Sequence, residues 1–136
     1  MLKSRPGLAI ALALIAIASS AAAGAQEIPR KQQFVADLQT ALRANDKNWL
    51  AGHMRYPVRF YGKRTMLIRN KAWLLKNDKS VIGAKLRTAV LAQDPGNVFE
   101  NWQGLMVGEG NHNIWVRNTG DGLHEHYQII TINDPE

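Results

Sequence analysis

The stretch "GLHEHYQIITIN", residues 122–133, places His124 and His126 two residues apart on what reads as a closing β-strand. Alternate side chains of a strand share a face, so the pair has the spacing to grip a metal ion together. Either imidazole could also move a proton near neutral pH. A zinc site takes three or four ligands, and thiolates are excluded because the chain has no cysteine. His112 and Glu109, in the preceding hairpin, are the candidates for a third ligand. A His-x-His pair is also common on half-exposed strands that bind nothing. With no third ligand fixed by the spacing, no metal, no cofactor and no catalytic residue is assigned, and His126 is placed at a pocket rim.

A second constellation is aromatic and basic: Tyr56, Arg59, Tyr61, Trp102 and Trp115. Aromatic side chains on a sheet beside one guanidinium form a site for a small planar or anionic ligand, since arginine presents a rigid fork that matches carboxylate and phosphate. Together with His126 these residues form the expected ligand-binding set. The competing expectation for Trp102 and Trp115 is plain core packing. Trp49 and Trp73 read as helix-packing residues outside any site. Gly104, Gly108 and Gly110 run between strands and not from a strand into a helix, so they read as turn and bulge residues and not as a phosphate cradle.

These side chains need a scaffold. In "KQQFVADLQTALRAN", Phe34, Leu38 and Leu42 recur at steps of four, with Val35 and Ala41 widening the apolar stripe of an amphipathic helix. Asn45 suits a left-handed stop and Asp46 suits the cap of the next helix, "KNWLAGHM". The period then changes. Val58 and Phe60 oppose Arg59 and Tyr61, and Gly62-Lys63 turns the chain into a second strand, Thr65 to Arg69. Asn70 caps "KAWLLKN", and Ile82, Leu86 and Val90 share a face of a helix that Asp94-Pro95-Gly96 stops. "NVFENWQGLMVGEG" reads as one long strand that bends at Gly104, followed by "HNIWVRN" and "LHEHYQIITIN". Two helices, a strand hairpin, one or two helices and three long antiparallel strands make an α+β domain.

The first residues stand apart from that scaffold. Lys3 and Arg5 precede an uncharged apolar run, residues 8–25, that ends in Ala23-Gly24-Ala25. This is the pattern of a signal peptide over 1–25, cut before Gln26. It leaves 136 minus 25, or 111, residues as a single α+β domain over 26–136 and implies a periplasmic or secreted protein with no membrane span after cleavage. Without cysteine, such a domain must hold together by apolar burial.

The chain has 17 basic and 11 acidic residues, a net charge of +6. From Arg55 to Arg87 there are ten Lys and Arg against Asp78 alone, and from Asp94 to Glu136 seven acids against Arg117 alone. That asymmetry fits either an anionic partner or two segments that lie side by side and balance charge within the fold or across a dimer. The second is the expectation. Export, and aromatics that are not interleaved with the basic run, argue against nucleic acid.

The words "NDK" at 45–47, "YPV" at 56–58, "IRNKAWLL" at 68–75 and "VFENWQGLMVGEGNHNIW" at 98–115 resemble those of small exported bacterial proteins of the nuclear transport factor two-like superfamily. Its fold is also called cystatin-like or SnoaL-like. The resemblance covers most of the mature chain. It implies a cone, a curved antiparallel sheet wrapped on the N-terminal helices with a partly apolar hollow at its open end. The superfamily includes isomerases and dehydratases as well as binding modules, and no catalytic constellation of its enzymes matches here residue by residue. The expected function is therefore non-catalytic binding of a small ligand or an envelope protein partner. An isomerase, dehydratase or hydrolase using His124 or His126 as proton shuttle is the alternative, and a homodimer formed through the sheet is a third reading.

Overall fold

A computed structural model describes residues 27–135; the expected signal peptide lies outside these residues. Helix α1 (Arg30–Ala44) buries Phe34, Val35, Leu38, Ala41 and Leu42, the stripe set by their spacing. Asn45 ends it in the left-handed conformation, φ 52° and ψ 42°, which asparagine tolerates better than most residues. The Asp46 side chain then accepts a hydrogen bond from the Trp49 amide at 3.0 Å and opens α2 (Lys47–Gly52).

Strands β1 (Met54–Tyr61) and β2 (Thr65–Ile68) form the expected hairpin. Asn70 caps α3 (Lys71–Val81) by accepting from the Trp73 amide at 2.9 Å. Helix α4 (Ala84–Ala92) buries Leu86 and Val90. Ile82 does not share their helical face, because it sits in an extended break before Gly83, which starts α4. Glycine offers no capping side chain, and the Asp134 carboxylate, 51 positions on, accepts from the Gly83 amide at 2.7 Å.

The remaining strands are β3 (Phe99–Asn101), β4 (Gly104–Glu109), β5 (His112–Asn118) and β6 (Tyr127–Asn133). Two expectations are corrected here. The long strand bent at Gly104 is a hairpin: Asn101 Oδ1 accepts from the Gln103 amide at 2.8 Å, and the chain reverses over Trp102-Gln103. Gly104 and Gly108, at φ 133° and 128°, lie so close to the carbonyls of Val116 and His112 on β5 that a β-carbon at either would collide.

The sheet is also not wholly antiparallel. Its order is β2-β1-β6-β5-β4-β3, and β6 runs parallel to β1 while pairing antiparallel with β5. A last strand that inserts between two earlier units can take either direction, and its direction is set by where the chain re-enters the sheet. The result is an α+β fold with an open, six-stranded mixed sheet and four helices.

All four helices contribute to one apolar cluster against one sheet face. Val58, Phe60, Leu105, Val107, Ile114, Val116, Ile129 and Ile132 meet Leu38, Leu42, Leu74, Leu86 and Val90 there. This cluster packs the space between the helices and the middle of the sheet. Among the described residues no helix is long and apolar enough to cross a membrane.

One polar residue ties the helices together. Gln39, 5% exposed, donates from Nε2 to the carbonyls of Val90 at 3.0 Å and Gln93 at 2.6 Å at the end of α4. Leucine there would strand the Gln93 carbonyl and crowd the packing. Gln39→Leu is expected to lower unfolding free energy by about 1–3 kcal/mol, read as a fall in the urea midpoint at unchanged slope. Full retention of the midpoint would show that the two bonds contribute nothing net.

Candidate functional site

Because strand side chains alternate, the neighbours of the core residues face away from the helices. Arg59 and Tyr61 on β1, Trp115 and Arg117 on β5, and Thr131 and Asn133 on β6 therefore share the uncovered face. The register aligns them. Leu67 pairs with Arg59, Arg59 with Thr131, Thr131 with Trp115, Trp115 with Met106, and Met106 with Phe99, one row across all six strands. The Phe99 and Trp115 rings meet edge to face, with centroids 6.5 Å apart.

In the middle of this face is a groove of about 450 Å³. Arg55, Arg59 and Arg117 line it together with Tyr56, Tyr61 and Trp115, and among the described residues no carboxylate lines it. Arg117 donates from Nε to the Gln103 carbonyl at 3.1 Å, which fixes the start of its guanidinium. Among the described residues Arg55 and Arg59 form no side-chain hydrogen bond or ion pair. The expected charge balance between segments is thus met only in part: β1 and β6 lie side by side, yet these β1 cations are not paired with the acidic C-terminal segment. Two irregularities give the face relief. Ile130 is an extra residue in β6 opposite β5, and β1 bulges away from β6 between Met54 and Arg59. Both Ile130 and the bulge residues Arg55, Tyr56 and Pro57 line the groove.

Four of the six expected ligand-binding residues, Tyr56, Arg59, Tyr61 and Trp115, therefore border one groove. Tyr56 does so by its ring, since its hydroxyl donates to the Ala51 carbonyl at 2.8 Å. Trp102 and His126 are placed elsewhere. Trp102 is 87% exposed in the β3–β4 turn, so it is no core residue, and it is not among the residues that line the groove. Trp115 likewise lies on the uncovered face and not in the core. Sequence reasoning missed Arg55, Arg117, Thr131 and Asn133. Arg117 was within reach, two residues from Trp115 on one strand; Thr131 and Asn133 required knowing that β6 lies between β1 and β5.

The two histidines are not on a strand. Asp121 Oδ1 accepts from the amides of Leu123 at 3.0 Å and His124 at 2.8 Å, and Asn118 Oδ1 accepts from the His126 amide at 3.0 Å. These side chains take the amides a ladder would need, so β6 begins only at Tyr127. His124 lies 3.2 Å from Asp121 with its side chain 82% exposed, and His126 is also exposed. Neither imidazole lies inside a pocket as a proton shuttle requires. Backbone donation from Leu123 and His124, in that order, holds the Asp121 carboxyl below its usual range, with the His124 ring adding to it. Among the described residues no three His, Asp or Glu side chains converge as metal ligands. The histidine held by a carboxylate in a half-buried setting is His112, whose Nδ1 lies 3.1 Å from Asp134 at the other end of the sheet.

No family model, no curated protein and no solved structure matches this chain.

Burial raises the phenol of Tyr56 above its ordinary value of 10.0. Burial also raises Tyr127, with the Glu125 charge adding to it. A folded-state pKa above the unfolded one favours the neutral phenol. The associated stability is present in full below pH about 10 and is lost as pH rises through the raised values. The urea midpoint is expected to hold to that pH and then fall, and the fall should flatten in Tyr56→Phe/Tyr127→Phe. An equally steep fall in the double variant would place its origin in other groups.

Proposed function

We propose that this chain is an exported, non-catalytic binding domain that takes a small planar anion in the groove of its uncovered sheet face. One observation carries the reading: Arg55, Arg59 and Arg117 line one groove with Tyr61 and Trp115, and among the described residues no carboxylate lines it. Three unneutralised cations on one face repel one another, and an anion that bridges them relieves that repulsion. The rings supply flat surface for an aromatic or conjugated body, and guanidinium forks supply direction to its acidic groups.

The domain is of the nuclear transport factor two-like, cystatin-like kind on this reading. Support comes from the order of helices and strands and from the local words "YPV", "IRNKAWLL" and "VFENWQGLMVGEGNHNIW". The ligand site is then on the sheet's outer face and not in the cone's interior, where Leu38, Ile114 and their neighbours are packed. Export rests on the basic start, the apolar run and Ala23-Gly24-Ala25. The His124 or His126 enzyme reading has no supporting geometry, since both rings are exposed.

Trimesate, a flat ring carrying three carboxylates, is a direct probe. It is expected to raise the melting temperature and quench Trp115 fluorescence. Arg59→Ala should weaken it about ten- to hundredfold, the loss of one charge-assisted contact. Equal affinity in Arg59→Ala, or no thermal shift at millimolar trimesate, would remove the proposal.

A further inference from the structure

A second cleft, of about 670 Å³, lies between the β1–β2 turn, α3 and the start of α4. It is built from different residues than the groove on the open face. Its apolar wall is Phe60, Met66 and Trp73, and its rim carries Arg64 and Lys85. Met66 and Trp73 are half-buried: they pack on the core by one side and border the cleft by the other. Trp73 is thus more than the helix-packing residue that its spacing suggests.

The charge at the rim is available. Among the described residues Arg64 and Lys85 make no side-chain hydrogen bond or ion pair. Among the described residues the one acid lining the cleft, Asp134, has both carboxylate oxygens engaged elsewhere, Oδ2 by the Gly83 amide at 2.7 Å and Oδ1 by His112 at 3.1 Å. The cleft therefore offers an apolar wall with a flexible thioether, which adapts to a chain without fixed shape, beside two unengaged cations. Its volume is within the range of about 300–1,000 Å³ typical of small-molecule sites.

We infer that this cleft binds a single-chain anionic amphiphile, with its head group on Arg64 and Lys85 and its alkyl chain along Phe60, Met66 and Trp73. Such a ligand gains from both halves of the site. A polar anion would leave the wall wet, and a neutral hydrocarbon would leave the cations unused. The inference stands independently of the groove on the open face.

The test is a fluorescence titration of the purified protein below the aggregation threshold of each ligand. Octanoate, decanoate and laurate form one series; dodecyl phosphate distinguishes a phosphate head from a carboxylate, and dodecyltrimethylammonium reverses the charge. Emission is expected to change through Trp73, so Trp73→Phe should remove most of the signal while a thermal shift still reports binding. Affinity should rise about two- to fourfold per added methylene. Arg64→Ala/Lys85→Ala should weaken laurate at least tenfold, leave trimesate unaffected, and abolish the preference over the cationic chain. Arg59→Ala should leave laurate unaffected. Binding that ignores chain length, equal laurate affinity in the Arg64→Ala/Lys85→Ala protein, or loss of laurate in Arg59→Ala would overturn the inference. So would the absence of any Trp73 response or thermal shift with laurate and dodecyl phosphate alike.

Discussion

Everything on the uncovered face depends on where the last strand goes. β6 enters between β1 and β5, parallel to one and antiparallel to the other. It joins a hairpin formed near the middle of the chain to a meander formed near its end. Without it, Arg59 and Trp115 belong to separate units; with it, Thr131 pairs with both and holds them one strand apart on either side. The same strand places Ile129 and Ile132 in the core. One strand thus stabilises the fold through its inner residues and assembles a groove through its outer ones, and a slip of one residue would exchange the two roles.

The helices impose the complementary constraint. All of them use their apolar faces on the same side of the sheet, so nothing among the described residues covers the other side. A sheet face left to solvent is usually dressed with alternating polar residues. Here it carries arginines beside tyrosine and tryptophan, and among the described residues the charges lining the groove are of one sign. The edges are short, three residues in β3 and four in β2, which limits strand-to-strand association. The exposed chemistry is therefore concentrated on the face and not along an edge.

Much of this scaffold was legible in the residues themselves. The steps of four in α1, the left-handed stop at Asn45, and the caps Asp46 and Asn70 are local signals, and they are found where the sequence places them. So is the alternation that separates Arg59 and Tyr61 from Val58 and Phe60. Two of the failures share a cause: a side chain bonding locally to backbone redirected the chain. Asn101 turned one expected strand into two, and Asp121 with Asn118 kept His124 and His126 off β6. Gly83 broke an apparent helical stripe because a distant carboxylate, Asp134, supplied its cap. The site was half legible because only part of it is local. Parity along one strand groups Arg59 with Tyr61, whereas the pairing of β6 with β1 is a long-range event with no local signature.

The most direct test of the central claim observes the arginines themselves. In a nitrogen-15 spectrum of the side chains, titration with trimesate is expected to shift and sharpen the Nε–H signals of Arg55, Arg59 and Arg117 and to shift the Trp115 indole. Those of Arg64, Arg87 and Trp49, which lie off the open-face groove, should stay in place. Shifts confined to the second group, or a spectrum unchanged at saturating probe, would contradict the claim that the uncovered sheet face is an anion site.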